Sequence, residues 1–87
     1  MSSSVLITEF EWDEDNLHHV EVEDKVDADD VDAMIPNGSI AVRRNKRDAS
    51  GDYIFEGTGR GGRPVTIVAA RTAVAGVWRP VNAIYGS

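Results

Sequence analysis

The sequence predicts an α+β fold in which two short N-terminal helices pack on a mainly antiparallel sheet of about four to five strands. Apolar residues recur at helical spacing only in the first half of the chain, whereas the later segments alternate between apolar and polar residues. This order, β-α-α-β-β-β-β, is typical of the class. The chain has 87 residues and no repeat or linker, so a single domain over residues 1–87 is expected, with residues 1–4 as a frayed end.

The N-terminal half begins with a predicted strand. Residues 4–12 open with three apolar side chains and then alternate, which indicates a strand with one polar face. Asp13 follows as a suitable N-cap, and Asn16 and Leu17 lie where a short helix over residues 13–22 would place them.

A second helix is predicted to begin at Asp27. Its apolar stripe consists of Ala28, Val31, Met34 and Ile35. Three acids lie outside this stripe and are expected to face solvent: Asp29, Asp30 and Asp32. Pro36 is expected to force Ile35 out of the helix, and Asn37 and Gly38 are expected to complete the stop.

The rest of the chain is predicted to form strands. Four segments alternate in the manner of strands: residues 39–44, 52–59, 63–71 and 77–85. In the third of these, Val65, Ile67 and Ala69 share one side. Pro80 in the last segment indicates either an edge strand or a bulge, because proline cannot donate to a sheet ladder.

Composition excludes several functional classes. The chain has no cysteine, which removes disulfides, thiol catalysis and thiolate zinc sites and favours a reducing compartment. No apolar run approaches the roughly 20 residues that cross a bilayer. The N-terminus lacks the basic start of a signal peptide. A cytoplasmic protein without membrane contact is therefore expected.

Charge is distributed unevenly along the chain. Residues 1–32 carry twelve acids and one base, a balance of −11, whereas residues 33–87 carry three acids and eight bases, a balance of +5. Such asymmetry indicates a charged partner, either a polyanion or a protein. The alternative is that the two halves attract each other within one fold.

A glycine-rich segment matches the letters of a dinucleotide fingerprint, G-x-G-x-x-G, at Gly57, Gly59 and Gly62. The fingerprint requires a helix after the glycines, but Pro64 and a strand pattern follow here. A hairpin turn over residues 59–62 is therefore predicted, and no nucleotide cofactor is expected. Arg60 and Arg63 would lie on or beside this turn.

Two further groups are candidates for chemistry. Arg43, Arg44, Lys46 and Arg47 form a basic cluster that suits phosphate; the alternative is a solvated loop or pairing with the acidic helices. His18 and His19 point about 100° apart on a helix, so at most one would serve a site. One of them could act as a general base beside a carboxylate, or lie on the surface without a role.

The acidic segment does not fit a calcium loop. Val31 stands where the third ligand of an EF-hand belongs, Asp32 replaces the turn glycine, and Gly38 replaces the bidentate glutamate. A solvated helix face is favoured instead, and no metal site is expected.

Several segments together resemble the BrnT-type toxins, the family of domain of unknown function 497. The opening "FEWDEDNLHH" is similar to the family's N-terminal signature at Trp12, Asp13, Asn16 and His19. "YIFEGTGRGGRPVTIV" resembles its middle hairpin at Gly57, Gly62 and Arg63. "VWRPVNA" resembles its last strand at Arg79 and Ala83, and the likeness extends over residues 7–84.

The resemblance implies a fold similar to RelE-like ribonucleases and a toxin that cleaves RNA without metal until a protein antitoxin silences it. The implied catalytic residues are His19, Arg63 and Arg79; the implied RNA-binding residues are Arg43, Arg44, Arg47 and Arg60. The family's His-Gly is replaced near Asp24 and Lys25, and its C-terminal helix has no counterpart before Ser87. The alternative is a non-catalytic protein-binding module on the same fold, encoded by a bacterium, a phage or a mobile element.

Overall fold

The structure is a computed structural model that describes residues 5–45 and 53–86. It contains five strands: β1 (Glu9–Phe10), β2 (Ala41–Arg44), β3 (Tyr53–Thr58), β4 (Pro64–Arg71) and β5 (Val77–Tyr85). Two α-helices precede β2, and they are α1 (Glu14–His18) and α2 (Ala28–Asn37). The strands form one sheet in the order β1-β5-β4-β3-β2. The predicted α+β class and element order are confirmed.

The sheet is antiparallel except at one edge. β1 pairs with β5 in parallel, whereas the β2–β3, β3–β4 and β4–β5 pairs are antiparallel. β1 is also far shorter than the strand predicted over residues 4–12. The predicted frayed end at residues 1–4 and the loop residues 46–52 lie outside the described residues.

The first helical segment changes type along its length. Asp13 caps α1 through bonds from Asp15 N and Asn16 N, and the Asn16 side chain accepts from Asp13 N, which completes a capping box. From His19 to Glu23 the chain forms a single π-helical turn, called the π turn below. The segment predicted as one helix over residues 13–22 is therefore α1 followed by the π turn.

Helix α2 begins at the predicted cap but ends later than predicted. Asp27 accepts from Asp29 N at 2.8 Å, as an N-cap should. The prediction that Pro36 forces Ile35 out of the helix is wrong, because the helix runs through both residues to Asn37. Near the end of a helix the proline forfeits one backbone bond, and Gly38, at φ +72°, closes the last turn through bonds to Met34 O and Ile35 O.

The core lies between the helices and one face of the sheet. The alternation predicted in β4 is confirmed, since Val65, Ile67 and Ala69 are buried and their neighbours are not. Phe55 and Trp78 meet edge to face at 5.0 Å between ring centroids. The largest fully buried side chains are Phe55, Met34, Ile67, Val20, Val26, Val31, Val65 and Pro80.

The glycine segment forms the predicted hairpin turn between β3 and β4. Residues Arg60–Gly62 make one 3₁₀ turn, with Gly61 at φ +67° and Gly62 at φ +78°. Gly59 N donates to Arg63 O at 2.7 Å and closes the turn, called the glycine turn below. Positive φ at two successive positions explains the glycine pair.

A bulge in β5 explains Pro80. Val68 pairs with Asn82 and Ala69 pairs with Pro80, so Val81 is left without an opposite residue. Beyond β1, the helical segment covers this side of β5: Asn16 Nδ2 donates to Pro80 O at 2.9 Å, and Ala83 N donates to Asp24 Oδ2 at 2.9 Å. Side chains thus replace a missing strand and protect the edge.

Candidate functional site

Each of the three residues predicted to be catalytic lies in strand β5 or contacts it. Arg79 belongs to β5, His19 contacts Asn82 of β5, and Arg63 contacts Tyr85 of β5. These three contact points are each three residues apart, which is about 10 Å in a strand. The structure therefore spreads His19, Arg63 and Arg79 along one strand, and no contact joins any two of them among the described residues.

Arg79 is held by the cap of helix α1. Its guanidinium makes a forked contact with the Asp13 carboxylate, in which Nη2 donates to Oδ1 at 3.1 Å and Nη1 donates to Oδ2. Glu11 Oε1 lies 3.9 Å from Nη1. The hydrogen bond from Arg79, with the bond from Asn16 N, lowers the pKa of Asp13 to about 2. The pKa of Arg79 is raised, chiefly by the same bond.

His19 lies on the π turn among oxygen atoms. Its Nε2 is 2.6 Å from Asn82 Oδ1 and 3.6 Å from Asp24 Oδ2, and its Nδ1 is 3.4 Å from Glu23 Oε1. The side chain is 38% exposed, so solvent reaches it. A carboxylate beside one ring nitrogen supplies the orientation that a general base requires, and the other nitrogen would have to leave its oxygen partner to accept a proton. The second histidine, His18, is 62% exposed and lies 4.0 Å from Glu23.

A buried carboxylate cluster that the sequence did not indicate joins helix α2, the glycine turn and β5. Asp30 was expected to face solvent, and that expectation is wrong, because the residue is only 4% exposed. Its oxygens accept from Arg60 Nε at 2.8 Å, from Arg60 N at 3.1 Å and from Tyr85 Oη at 2.6 Å. Arg60 also donates to Asp27 Oδ2 at 2.8 Å. We call Asp27, Asp30, Arg60 and Tyr85 the Asp30 cluster.

The contacts of the cluster shift the pKa values of Asp30, Arg60 and Tyr85. Hydrogen bonds from Arg60 and Tyr85 lower the pKa of Asp30 to about 2 although burial opposes this. The pKa of Arg60 rises, first through its bond to Asp30. The pKa of Tyr85 rises because its hydroxyl is bonded to a carboxylate and buried. The charged forms of Asp30 and Arg60 are therefore strongly favoured.

Gly59 lets the glycine turn approach helix α2 closely. A Cβ at this position would lie 2.9 Å from Asp30 Cβ and 3.0 Å from Asp30 O. The side chain of Asn37 fastens the same contact by donating to Thr58 O and Gly59 O. Gly59 therefore matches the dinucleotide fingerprint because the turn must pack closely against α2.

Arg63 stacks on Tyr85, with its Cζ 3.4 Å from the ring centroid. The two residues line an open depression of about 440 Å³ together with Glu21, Lys25, Val26 and Asp27. Glu21 Oε2 accepts from Ala28 N at 3.0 Å, so a carboxylate occupies the N-terminus of α2. The depression holds both signs of charge, which does not favour a phosphate.

Of the four residues predicted to bind RNA, the structure describes Arg43, Arg44 and Arg60. Arg43 is bonded to Glu56 on the adjacent strand at 3.3 Å, Arg44 is exposed at the end of β2, and Arg60 is held in the Asp30 cluster. Arg43 and Arg60 therefore already have carboxylate partners. Arg47 and Lys46 lie outside the described residues.

These ion pairs bear on the uneven distribution of charge along the chain. The strongest described contacts join acids of the first half to arginines of the second: Arg60 with Asp27 and Asp30, and Arg79 with Asp13. The two halves do attract each other. Of the Asp30 cluster, the sequence carries one weak signal, which is that Asp30 borders the apolar stripe beside Val31.

Comparisons with known proteins leave the family open. Neither a scan against protein-family models nor searches of curated proteins and of solved structures produced a match to this chain. The likeness to BrnT-type toxins therefore rests on the residues quoted above and stays a hypothesis.

Two structural observations concern metal and membrane. Within residues 5–45 and 53–86, no three histidine or carboxylate side chains are arranged to hold a metal ion. Over the same residues, no helix has the length and apolar character that a membrane span requires.

Proposed function

We propose that the chain acts as a protein-binding module on a toxin-like α+β fold and that a positively charged protein surface is its partner. One observation carries this proposal: Arg60 and Arg79, which an RNA would need for its phosphates, are already paired with carboxylates. A phosphate would have to compete with those carboxylates for the same donors.

The remaining charge supports a basic partner. Glu14, Asp15 and Asp29 are exposed, and none forms an ion pair with a described residue. With a net charge of −6, the chain repels a polyanion at long range and attracts a basic protein. Such a partner is bound with a strong dependence on salt, because the contacting charges are solvated.

Affinity capture followed by reconstitution tests the proposal. The immobilised chain is incubated with nuclease-treated lysate of its native host, and any protein that binds is identified, purified and titrated against the chain. We expect a basic partner whose affinity falls between about 0.05 M and about 0.5 M salt. A chain that retains RNA and no protein, or a partner whose affinity does not respond to salt, would contradict the proposal.

A second candidate function is metal-independent RNA cleavage by a cytoplasmic type II toxin, which the surroundings of His19 favour. In this reaction His19 would accept the proton of a ribose 2′-hydroxyl, the 2′-oxygen would attack phosphorus, and the 5′-oxygen would leave with a proton taken from water, giving a 2′,3′-cyclic phosphate. Glu23 and Asp24 would orient the ring. The toxin would then require an antitoxin as its protein partner.

Cleavage in the presence of a chelator distinguishes the two candidates. If the second is correct, RNA is cut with cyclic-phosphate ends, His19→Ala abolishes cutting, and Asp13→Asn raises RNA affinity by freeing Arg79. The matched control is His18→Ala, which removes the neighbouring histidine. Intact RNA at high protein concentration, together with unchanged growth on induced expression, would rule out the ribonuclease.

A further inference from the structure

Strand β1 forms one edge of the sheet, and its backbone is half paired. Glu9 N and Glu11 N point to β5, donating to Gly76 O at 3.4 Å and to Trp78 O at 2.8 Å. Because successive residues of a strand alternate in direction, Phe10 turns its N–H and C=O away from β5. No described strand lies on that side. An edge of this kind can accept an added strand.

A groove runs between this edge and helix α2. It encloses about 300 Å³, and its lining is formed by Thr8, Glu9, Phe10, Asp32, Ile35 and Pro36. Phe10 is buried in the core, and Ile35 is half-buried against it, so apolar side chains form part of the lining. Exposed carboxylates stand on both sides, Glu9 on β1 and Asp32 on α2. The groove therefore combines a free backbone edge, apolar side chains in its lining and an acidic rim.

Asp32 is the rim residue whose surroundings most favour a cation. One of its oxygens accepts from Trp12 Nε1 at 2.8 Å. Partial burial raises the pKa of Asp32, and the neighbouring charge of Asp29 raises it further. A lysine or arginine placed beside Asp32 would oppose both effects, since an opposite charge favours the ionised carboxylate.

We propose that the groove between β1 and α2 binds an extended segment of a partner protein in which basic and apolar residues alternate. The segment adds as a strand to the free edge of β1, with backbone bonds to Phe10 N–H and C=O. On the sheet face of Glu9 its side chains are basic, and on the face toward α2 its side chains are apolar and lie on Ile35 and Pro36, while Asp32 attracts the basic segment at longer range. The proposal rests on the proposed protein-binding function and names the surface and the chemistry of the partner.

Charge argues against a second copy of this chain as the occupant. Two β1 edges brought together would place Glu9 and Glu11 of one copy near the same residues of the other, and like charges opposite each other are destabilising. A head-to-tail contact with the β2 edge would extend into an open filament. Sedimentation of the chain alone tests this point, and self-association that Glu9→Gln weakens would overturn the proposal.

The test is a nuclear magnetic resonance titration of the full chain with a capped peptide of alternating lysine and valine. We expect amide shifts at residues 8–12 and 32–35 and roughly tenfold slower hydrogen exchange at Phe10 N–H. A peptide of alternating glutamate and valine is expected not to bind. Shifts confined to other surfaces, or equal binding of both peptides, would overturn the proposal.

Substitutions at the rim test whether Glu9 and Asp32 bind the peptide. Glu9→Gln combined with Asp32→Asn should weaken the lysine–valine peptide about fivefold, since each exposed pair contributes modestly. The asparagine keeps an acceptor for Trp12 Nε1, so the fold is expected to persist. Glu14→Gln removes an exposed acid on α1 and should leave the affinity unchanged.

Mapping where a captured native partner contacts the chain distinguishes this inference from the proposed function. A captured basic protein whose contacts map to the groove supports both, whereas one whose contacts map elsewhere overturns the groove and leaves the proposed function standing. If no protein is captured but the lysine–valine peptide still binds at Glu9 and Asp32, the proposed function fails while the groove stands.

Discussion

Replacing Asp30 by asparagine tests the central electrostatic contact of the fold. The pKa of Asp30 is about 2 in the folded chain against an ordinary 3.8. Each unit of difference corresponds to about 1.4 kcal/mol, so ionisation of this carboxyl stabilises the folded state by about 2 kcal/mol at neutral pH. The side chain is 6% exposed, so solvent screening reduces the figure little. Asp30→Asn should therefore lose about 2–3 kcal/mol.

The pH dependence follows from the sign of the shift. A carboxyl whose pKa is lower in the folded than in the unfolded chain contributes fully above the unfolded value, and the contribution is lost as pH falls through the folded value. For Asp30 this window extends from about pH 4.5 down to about pH 2. Between pH 4.5 and 2.5 the unfolding free energy of the wild type should fall by about 1.5 kcal/mol more than that of Asp30→Asn.

Urea denaturation at several pH values provides the measurement. Asp13 also has a lowered pKa, but it titrates in both proteins, so the difference between them reports on Asp30. Asp29→Asn is the matched control: it makes the same chemical change at the next position on α2, where the side chain is exposed, and should cost less than about 0.5 kcal/mol. Parallel pH profiles for wild type and Asp30→Asn would refute the reasoning.

Two further changes test packing and edge protection by thermal denaturation. Gly59→Ala places a Cβ 2.9 Å from Asp30 Cβ and should lower the free energy of unfolding by about 1–3 kcal/mol. Gly61→Asn is the control, because a Cβ there meets nothing within 4 Å and asparagine tolerates the left-handed backbone. It should change stability by under about 0.5 kcal/mol. Equal losses would contradict the close contact. Asn16→Ala removes the donor to Pro80 O and should cost about 2 kcal/mol; an unchanged melting temperature would show that solvent satisfies this carbonyl.

The sequence predicted the features that depend on local patterns. The caps at Asp13 and Asp27 and the stripe on α2 are set by residues within one or two helical turns, and all are present. The glycine turn and the bulge at Pro80 also follow from local backbone chemistry. Ile35 stays helical despite the proline that follows it, because Pro36 lies in the last turn and Gly38 N donates to Met34 O and Ile35 O just beyond it.

The features that were missed depend on residues far apart in sequence. Asp30 and Tyr85 are 55 positions apart, and Asp13 and Arg79 are 66 positions apart. No local pattern determines which of twelve acids in the first half meets an arginine of the second. Only the parallel pairing of β1 with β5 and the hairpin that brings the glycine turn onto α2 decide those partners. The role of Asp30 was therefore visible only in the folded chain.

The pair of Asp13 and Arg79 shows what a phosphate would have to displace in order to reach one of the predicted site arginines. The Asp13 carboxylate performs two tasks, because it caps α1 through Asp15 N and Asn16 N while it binds the guanidinium. A phosphate that displaced it from Arg79 would gain one charged contact and leave the carboxylate facing a second anion. The cap bonds meanwhile keep Asp13 close to Arg79. The contact thus joins helix and sheet, and a phosphate would have to compete with the ionised Asp13 for Arg79.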